Sequence, residues 1–320
     1  MSQPVLFHGS EAIRTLCEQV NVLEAGISSH WVDMHKEFSV NQGTLTGIKG
    51  FGENQPLRAG IKSQIQRVTH QLFQNRFRVM GNGFSRFPEI DRAGREIANR
   101  QNRQYGLDRL RQTLTLSLLL EHIPHAFANN EEAALVIGDG FGVFSTLLLF
   151  TNSVKKVIVV NIIRTLIVDL SFIQTALPDI GIALATDKTG FDHAMNDDRI
   201  AVIALKADDY QLFQGARVNL AVNIASMQEM NPPTIANYFS ALRQVSGEPI
   251  YFYCCNREDK YLPDGTLVRF NDYPWHTKDH IMLDELCPWH QEFYQLKWPI
   301  FRPYDGPIRH RLAALYRNHP

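Results

Sequence analysis

The sequence predicts a doubly wound α/β domain that follows a helical N-terminal region. From residue 129 onward, five short apolar runs alternate with segments of helical spacing, and the first run leads directly into a glycine-rich turn. Strands that are apolar on both faces belong in a parallel sheet covered by helices, and alternation with helices is typical of βαβ units. We therefore divide the 320 residues into a helical region, 1–128, and an α/β domain, 129–320.

In the N-terminal region, apolar residues recur at helical spacing in two stretches. They are Ile61, Ile65, Val68 and Leu72 in the first, and Leu110, Leu114 and Leu118 in the second. Residues 41–60 and 81–88 are rich in glycine and turn-forming residues, which predicts loops or hairpins. We expect this region to cover the substrate site or to form the contact of a homo-oligomer.

The α/β domain is predicted to contain five parallel strands. They span 133–137, 156–160, 199–205, 218–222 and 249–254. After Asn256 the sequence becomes irregular and rich in aromatic residues, proline and histidine. Loops of this composition usually cover a pocket.

Composition argues against a membrane-spanning protein, a disulfide-bonded protein and a protein drawn to nucleic acid by its net charge. The net charge is −1, so no bulk field drives the chain onto nucleic acid or a membrane. The apolar stretches are too short or too interrupted to cross a bilayer, and no signal sequence is recognisable at residues 1–9. The four cysteines, two of them adjacent, form a poor disulfide framework. We expect a cytoplasmic protein with reduced thiols.

A glycine-rich turn follows the first predicted strand. Gly138, Asp139, Gly140 and Gly142 form a G-x-G-x-G pattern just before a predicted helix. Glycines are needed where the chain turns tightly and its backbone must approach a ligand. Dinucleotide enzymes use G-x-G-x-x-G, whose third glycine packs the helix close beneath a pyrophosphate, whereas this spacing resembles that of methyltransferases. The loop therefore predicts S-adenosylmethionine as cofactor, in a Rossmann-like methyltransferase sheet.

Three further side chains at strand ends are predicted to bind the cofactor. Asn161 ends the second strand, where an acidic residue usually holds the ribose hydroxyls. Asp208 follows the third strand and is placed to meet the adenine amino group, although a solvated turn explains it equally well. Asn223 ends the fourth strand. Val136 stands where methyltransferases commonly have an acidic residue.

Several motifs of the C-terminal half resemble those of bacterial sugar O-methyltransferases. They lie at residues 222–230, 238–239, 242–243, 254–260, 262–265, 273–275, 284–291 and 304–307. The resemblance covers roughly residues 108–315. It implies an activity in nucleotide-sugar or polysaccharide biosynthesis, with a hexose-derived acceptor.

Methyl transfer to a hydroxyl requires a group that accepts its proton. Glu229 lies just beyond the fourth strand, at the edge of the sheet where ligands bind, and is a candidate for the base or for acceptor binding. A role in holding a loop or capping a helix explains it as well. Among the C-terminal histidines we favour His280, because Asp279 and Asp284 are close enough in sequence to orient its ring.

Polar and aromatic residues of the C-terminal loops are predicted to bind the substrate. Arg257 and Lys260 follow the fifth strand and are suited to a diphosphate, or else form surface ion pairs. The remaining candidates are Asn256, Trp275, His290 and Tyr304. The aromatic rings offer flat faces to a sugar, although core packing is the commoner role of tryptophan.

The sequence predicts no metal site. Cys287 and His290 have zinc-ligand spacing, but the adjacent Cys254 and Cys255 fit a tetrahedral site poorly. Magnesium bound by Asp264, Asp272 and Asp284 would suit a diphosphate-bearing acceptor, yet no ligand spacing requires it.

Three further functions compete with the sugar methyltransferase. Twelve Lys or Arg against four Asp or Glu between Arg58 and Arg111, with Asn231-Pro232-Pro233-Thr234, point to a nucleic-acid methyltransferase. In base-modifying enzymes, however, the corresponding tetrad ends in an aromatic residue, whereas this one ends in Thr234. The basic segment is better interpreted as a solvated helical face or a phosphate pocket. The second competing function is that of a methyltransferase-like protein without activity, and the third is that of a dehydrogenase.

Overall fold

The computed structural model describes residues 5–6, 9–41, 43–48, 56–57, 61–128, 132–246, 249–295 and 297–317, with the backbone alone at 5–6 and 61–67. Most of the predicted 41–60 loop, including Gly50 and Gly52, lies outside the described residues. Within them, Thr44–Thr46 forms a strand.

The N-terminal region contains a small antiparallel sheet and several helices. The strands are β1 (Val5–Leu6), β2 (Ser39–Asn41) and β3 (Thr44–Thr46), in the order β1-β3-β2. The helices are α1 (Glu11–Glu18), α2 (Ser29–Met34), α3 (Ile61–Arg78), α4 (Phe87–Arg100) and α5 (Leu107–His122). Both predicted helical stretches are thus helices.

The buried faces of these helices agree with the prediction in α5 but not in α3. Leu110, Leu114 and Leu118 are buried, as expected. Val68 and Leu72, however, are 57% and 63% exposed. The reason is that α3 packs through its other face, where Phe77 contacts the aromatic rings of a C-terminal hairpin.

The central sheet is built from the predicted parallel strands and one more. The strands are β4 (Ala133–Ile137), β5 (Val157–Asn161), β6 (Ile182–Leu184), β7 (Val202–Lys206), β8 (Val218–Ile224) and β9 (Ile250–Arg257). The helices between them are α6 (Val143–Phe150), α7 (Ile163–Ala176), α8 (Lys188–Asn196) and α9 (Pro232–Leu242). All five predicted strands are confirmed, and the doubly wound α/β fold class is confirmed with them. The short edge strand β6 was missed.

The C-terminal segment is more regular than predicted. Two hairpins are formed by β10 (Asp259–Tyr261) with β11 (Leu267–Arg269) and by β13 (Glu292–Tyr294) with β14 (Phe301–Pro303). Strands β12 (His280–Leu286) and β15 (Ile308–Leu315) join the central sheet, with β15 antiparallel to β9 and β12. Charged residues interrupt the apolar residues of both strands, so neither strand shows the continuous apolar run by which the parallel strands were predicted.

The described part of the sheet has the order β12-β15-β9-β8-β4-β5-β7-β6. Helices α4 and α5 pack on α6 and α7 and share one hydrophobic core with that face of the sheet. Strands β5, β7 and β6 lie on one side of β4, with β7 between β5 and the edge strand β6, and the chain then crosses to β8 on the other side of β4. This reversal leaves a crevice at the carboxyl ends of β4 and β8, where open α/β sheets bind ligands. None of the described helices has the length and apolar character needed to cross a lipid bilayer.

Candidate active site

The glycine loop joins β4 to α6 at this crevice. Gly138, Gly140 and Gly142 have φ angles of 69°, 61° and 58°, the left-handed region that favours glycine. A Cβ at Gly138 would lie 1.9 Å from Ser226 Oγ, and one at Gly142 would lie 2.6 Å from the Asp169 carbonyl oxygen. Two of the glycines therefore allow close packing of the loop, while Gly140 lines the adjacent cavity.

Two buried carboxyl groups hold this loop in place. Asp139 accepts hydrogen bonds from the backbone N–H groups of Phe144 and Ser145, both at 2.8 Å. Asp169 accepts from Gly142 N at 3.0 Å and from Asn161 Nδ2 at 2.8 Å. Burial raises the pKa of Asp139 and raises the pKa of Asp169 well above its usual value. The polar groups of Asp139 and Asn161 are thus used within the protein, although both residues line the cavity.

Two adjoining cavities lie at the carboxyl edge of the sheet. The central cavity, about 230 Å³, is bounded by the glycine loop, α5 and the end of β8. The lateral cavity, about 430 Å³, is bounded by the ends of β5 and β7 and the start of α9. Both are lined by Trp31, Asn161, Ser226 and Glu229, so they meet along this wall.

The N-terminal segment forms one wall of the lateral cavity. Asp208 accepts hydrogen bonds from the backbone N–H groups of Ala25 and Gly26 at 2.9 and 3.2 Å. Glu24 is buried, and its Oε1 accepts from Ile163 N at 2.9 Å, directly after β5. Burial raises the pKa of Glu24 to about 7. No sequence pattern predicts these contacts, because the partners are more than a hundred residues apart.

Glu229 lies at the junction of the two cavities. Its Oε1 is 2.8 Å from Lys260 Nζ and 3.5 Å from His30 Nε2. Burial lowers the pKa of His30; the charge of Glu229 opposes this shift, while Lys260 and Arg257 add to it, so the environment favours the neutral imidazole. The structure thus brings together the predicted Glu229 and Lys260 and adds His30, which was not predicted.

Charged groups surround the inner end of the central cavity. Arg109 and Arg111 project from α5, and burial lowers the pKa of Arg109 to about 10. The guanidinium groups of Arg111 and Arg257 lie 5.4 and 5.3 Å from the centroid of the Tyr304 ring. Arg257 Nη1 also pairs with Asp305 at 2.9 Å. Arg257 and Tyr304 therefore lie where the sequence predicted a substrate site.

Asn223 and Asn256, both predicted to bind ligands, lie buried in the sheet beneath the central cavity. Asn223 Nδ2 donates to the Ile137 carbonyl at 2.8 Å, and Asn223 Oδ1 accepts from Asn256 Nδ2 at 2.9 Å. Asn256 Oδ1 in turn accepts from Gln228 N at 3.1 Å. Both asparagines are fully buried and tie β4, β8 and β9 together, and neither lines the cavities.

The structure does not bring His280 or Trp275 to this site. His280 is exposed on the sheet-edge strand β12, and its expected partner Asp279 is bound by Arg243 in an ion pair of 2.7 Å. Trp275 packs against Phe239, with ring centroids 4.8 Å apart, on the other side of the sheet. We correct both predictions, because closeness in sequence to acidic or aromatic residues did not place these side chains at the cavity.

His290 lies in the wall of the central cavity, beside two thiols. Its Nδ1 is 3.2 Å from Cys287 Sγ and 3.8 Å from Cys255 Sγ. Burial lowers the pKa of His290 well below its usual value. Among the described residues this is the one group of three or more potential metal ligands, so Asp264, Asp272 and Asp284 do not form such a group.

Comparison with known proteins gives structural matches only. No protein-family model matches the chain, and no curated protein matches it. A Bacillus halodurans protein provisionally classified as a methyltransferase is similar, with 11% identity, a TM-score of 0.40, and coverage of 61% of this chain and 97% of that one. A Methanosarcina mazei S-adenosylmethionine-dependent methyltransferase has 13% identity, a TM-score of 0.35, and coverage of 61% and 98%.

A third similar structure belongs to Streptococcus pneumoniae. It is provisionally classified as a tRNA (m1A22) methyltransferase and was solved in complex with S-adenosylmethionine, the cofactor predicted here from the sequence. Identity is 9%, the TM-score is 0.32, and the match covers 62% of this chain and 74% of the other. At such low sequence identity and TM-score, function has to be argued from the residues of the site.

The residues of the site fit an adenosyl cofactor. The hydroxyl of Thr165 is buried and lines the central cavity, and among the described residues it has no hydrogen-bond partner. Gly140 leaves the loop open to the same cavity. The Thr165 hydroxyl can therefore hydrogen-bond a polar ligand, and the backbone at Gly140 lets that ligand approach closely.

Proposed function

We propose that this chain is an S-adenosylmethionine-dependent methyltransferase. The observation that carries the proposal is the pair of adjoining cavities beside the glycine loop at the switch point of the sheet. One cavity would take the adenosine part of the cofactor, and the other its methionine part and the acceptor. Their volumes, about 430 and 230 Å³, together suit a ligand of this size, since small-molecule pockets are typically about 300–1,000 Å³.

The lateral cavity supplies contacts for an adenosine. Ile162 and Tyr238 offer apolar surface to the base, and Asp208 is the nearest carboxylate for its amino group. In the central cavity, the guanidinium of Arg109 is suited to the carboxylate of the methionine part. Trp31 and Asn161 line both cavities, so they would flank the ribose and the sulfonium.

For the acceptor we propose a sugar hydroxyl, on a nucleotide-sugar or a polysaccharide precursor. Tyr304 offers a flat face to a sugar ring, and Arg257 a cation to a phosphate. This assignment also draws on the resemblance to sugar O-methyltransferases. The central cavity, at about 230 Å³, would take the sugar ring of such an acceptor rather than the whole molecule.

The bound cofactor would supply a methyl group on a positively charged sulfur that leaves readily. The residues of the chain then have two tasks, to align the acceptor and to accept its proton. Glu229 lines both cavities and would accept this proton directly. The imidazole of His30 lies 3.5 Å from Glu229 Oε1 and would be the second acceptor, while Lys260 orients Glu229.

A nucleic-acid acceptor is less well supported by the basic segment. Six of its arginines are in ion pairs with carboxylates, namely Arg76, Arg78, Arg86, Arg95, Arg100 and Arg111. Cations that are neutralised within the protein release few counterions from a phosphate backbone. The Asn231-Pro232-Pro233 sequence forms the start of α9, where proline is favoured.

Calorimetry with S-adenosylmethionine and with NAD tests the proposed cofactor. We expect heat of binding for the first at micromolar concentrations and none for the second. No binding of S-adenosylmethionine at millimolar concentration would favour a protein without this activity. A panel of nucleotide-sugars, assayed by transfer of labelled methyl groups, then tests the acceptor, with a tRNA and a single-stranded DNA as comparison substrates.

A further inference from the structure

A buried group of three soft ligands lies in the wall of the central cavity. The ligand atoms of Cys255, Cys287 and His290 all lie within 4.8 Å of one another. In a tetrahedral zinc site, zinc–sulfur bonds of about 2.3 Å and zinc–nitrogen bonds of about 2.0–2.1 Å place such atoms about 3.5–3.8 Å apart. The observed Sγ to Nδ1 distances of 3.2 and 3.8 Å bracket that spacing.

The fold positions each ligand from a rigid element. Cys255 lies in β9, paired with His310 of β15. Cys287 follows β12, and its backbone N–H donates to the Ile308 carbonyl at 2.8 Å. A single turn over Pro288–His290 then brings the imidazole back to the thiols. The adjacent cysteines do not compete for one ion, because Cys254 packs on the opposite face of the sheet.

Charge also favours an ion at this place. Two thiolates neutralise a divalent cation, so the centre as a whole carries no net charge despite its burial. Sulfur and imidazole nitrogen are ligands that zinc prefers, whereas magnesium and calcium prefer oxygen. Cysteine binds a metal as the thiolate, so metal binding would release protons from the two cysteines.

We propose that Cys255, Cys287 and His290 bind one zinc ion whose fourth position opens into the central cavity. Cys255 and His290 both line that cavity. Among the described residues no fourth histidine, cysteine or carboxylate joins the group. Three protein ligands with an open position are the arrangement of catalytic zinc, whereas structural sites have four protein ligands.

The role of the ion rests on the proposed methyltransferase function. The hydroxyl of the acceptor would take the fourth position and lose its proton to Glu229 or His30, because a bound cation lowers the pKa of a coordinated oxygen. The new carbon–oxygen bond then forms as the carbon–sulfur bond of the cofactor breaks. The sulfur keeps the electron pair and becomes a neutral thioether.

Metal titration of the full chain tests the site. The purified, reduced protein is freed of metal with a chelator and titrated with Zn²⁺, and separately with Co²⁺ as a spectroscopic probe. We expect one Zn²⁺ per chain, and with Co²⁺ the thiolate charge-transfer bands of a tetrahedral site. The variants Cys287→Ser and His290→Ala should each weaken Zn²⁺ binding on the order of 100-fold. Cys254→Ser, the matched control, should leave it unchanged.

The wild-type titration remains decisive if a variant does not fold. A reduced wild-type chain that takes up no zinc overturns the proposal, as does a Co²⁺ complex without thiolate bands. Equal affinity in Cys287→Ser overturns it too. Calorimetry with S-adenosylmethionine on the same samples separates the two ideas. Zinc binding without cofactor binding supports the metal site but not the methyltransferase, and the reverse result leaves the methyltransferase without zinc.

Discussion

The two cavities differ in what holds them in shape. The lateral cavity is closed by the backbone of the N-terminal segment, which is tied to the sheet through Glu24 and Asp208. The central cavity is instead lined by charged side chains that project from α5 and from the ends of β8 and β9. The lateral cavity, whose wall is fixed by backbone contacts, suits the adenosine part of a cofactor, which is the same in every enzyme that uses it. The central cavity, where charged side chains face the glycine loop, suits the methionine part of the cofactor together with an acceptor that differs between enzymes.

Blocking the glycine loop should weaken cofactor binding, and this is the largest effect we expect. Gly140→Val places a branched side chain where the backbone faces the central cavity, and at a φ of 61° it adds strain. We expect the Kd for S-adenosylmethionine to rise by on the order of 1,000-fold. The control is Gly215→Val, since Gly215 has a φ of 74° with nothing within 4 Å of an added Cβ. Retained affinity in Gly140→Val would refute the loop assignment.

The burial of Glu24 should make the stability of the fold depend on pH, because burial raises the pKa of this carboxyl group. Its pKa is about 7 in the folded chain against 4.5 for the free side chain, so folding takes up a proton. The resulting stabilisation is present below pH 4.5 and is lost as the pH rises through 7. Relative to Glu24→Gln, the wild type should lose on the order of 3 kcal/mol of unfolding free energy from pH 4 to about pH 8.

Denaturant unfolding across this pH range measures the effect of Glu24. The exposed Glu18, changed to glutamine, serves as control and should show no such difference from the wild type. A Glu24→Gln variant that follows the wild type at every pH would mean that Glu24 does not titrate in the folded wall.

Removing the carboxylate of Glu229 should slow methyl transfer to the acceptor without changing cofactor binding. Glu229→Gln should lower turnover about 100-fold, because the acceptor loses a proton acceptor, while the affinity for S-adenosylmethionine stays unchanged. His280→Ala serves as the comparison and should turn over as the wild type does, since His280 is exposed on β12. Steady-state kinetics with calorimetry measures both quantities. Normal turnover in Glu229→Gln would leave His30 as the base.

An acidic residue at position 161 should lower the stability of the fold. Asn161 Nδ2 donates to Asp169, so Asn161→Asp removes the donor and places two carboxylates together. We expect a loss of about 2 kcal/mol in unfolding free energy. The exposed Asn196→Asp is the matched control. Equal stability of both variants would contradict the role assigned to the Asn161 amide, which is to hold the glycine loop through Asp169.

The parallel half of the sheet was predictable from the sequence because its strands are continuous apolar runs. Strands β12 and β15 were not, because charged side chains interrupt them, such as Asp284 in β12 and Arg309 in β15. At the site, the glycine loop and Glu229 could be located from their positions at strand ends. His30, Trp31 and Glu24 could not, since only tertiary packing brings the N-terminal segment to the carboxyl edge of the sheet.

A crystal structure with bound S-adenosylhomocysteine tests the central claim most directly. We expect the adenine in the lateral cavity, near Ile162 and Asp208, and the amino-acid part beside Gly140 in the central cavity. A ligand bound elsewhere on the chain, or a glycine loop whose cavity is filled by side chains of the protein, would contradict the account.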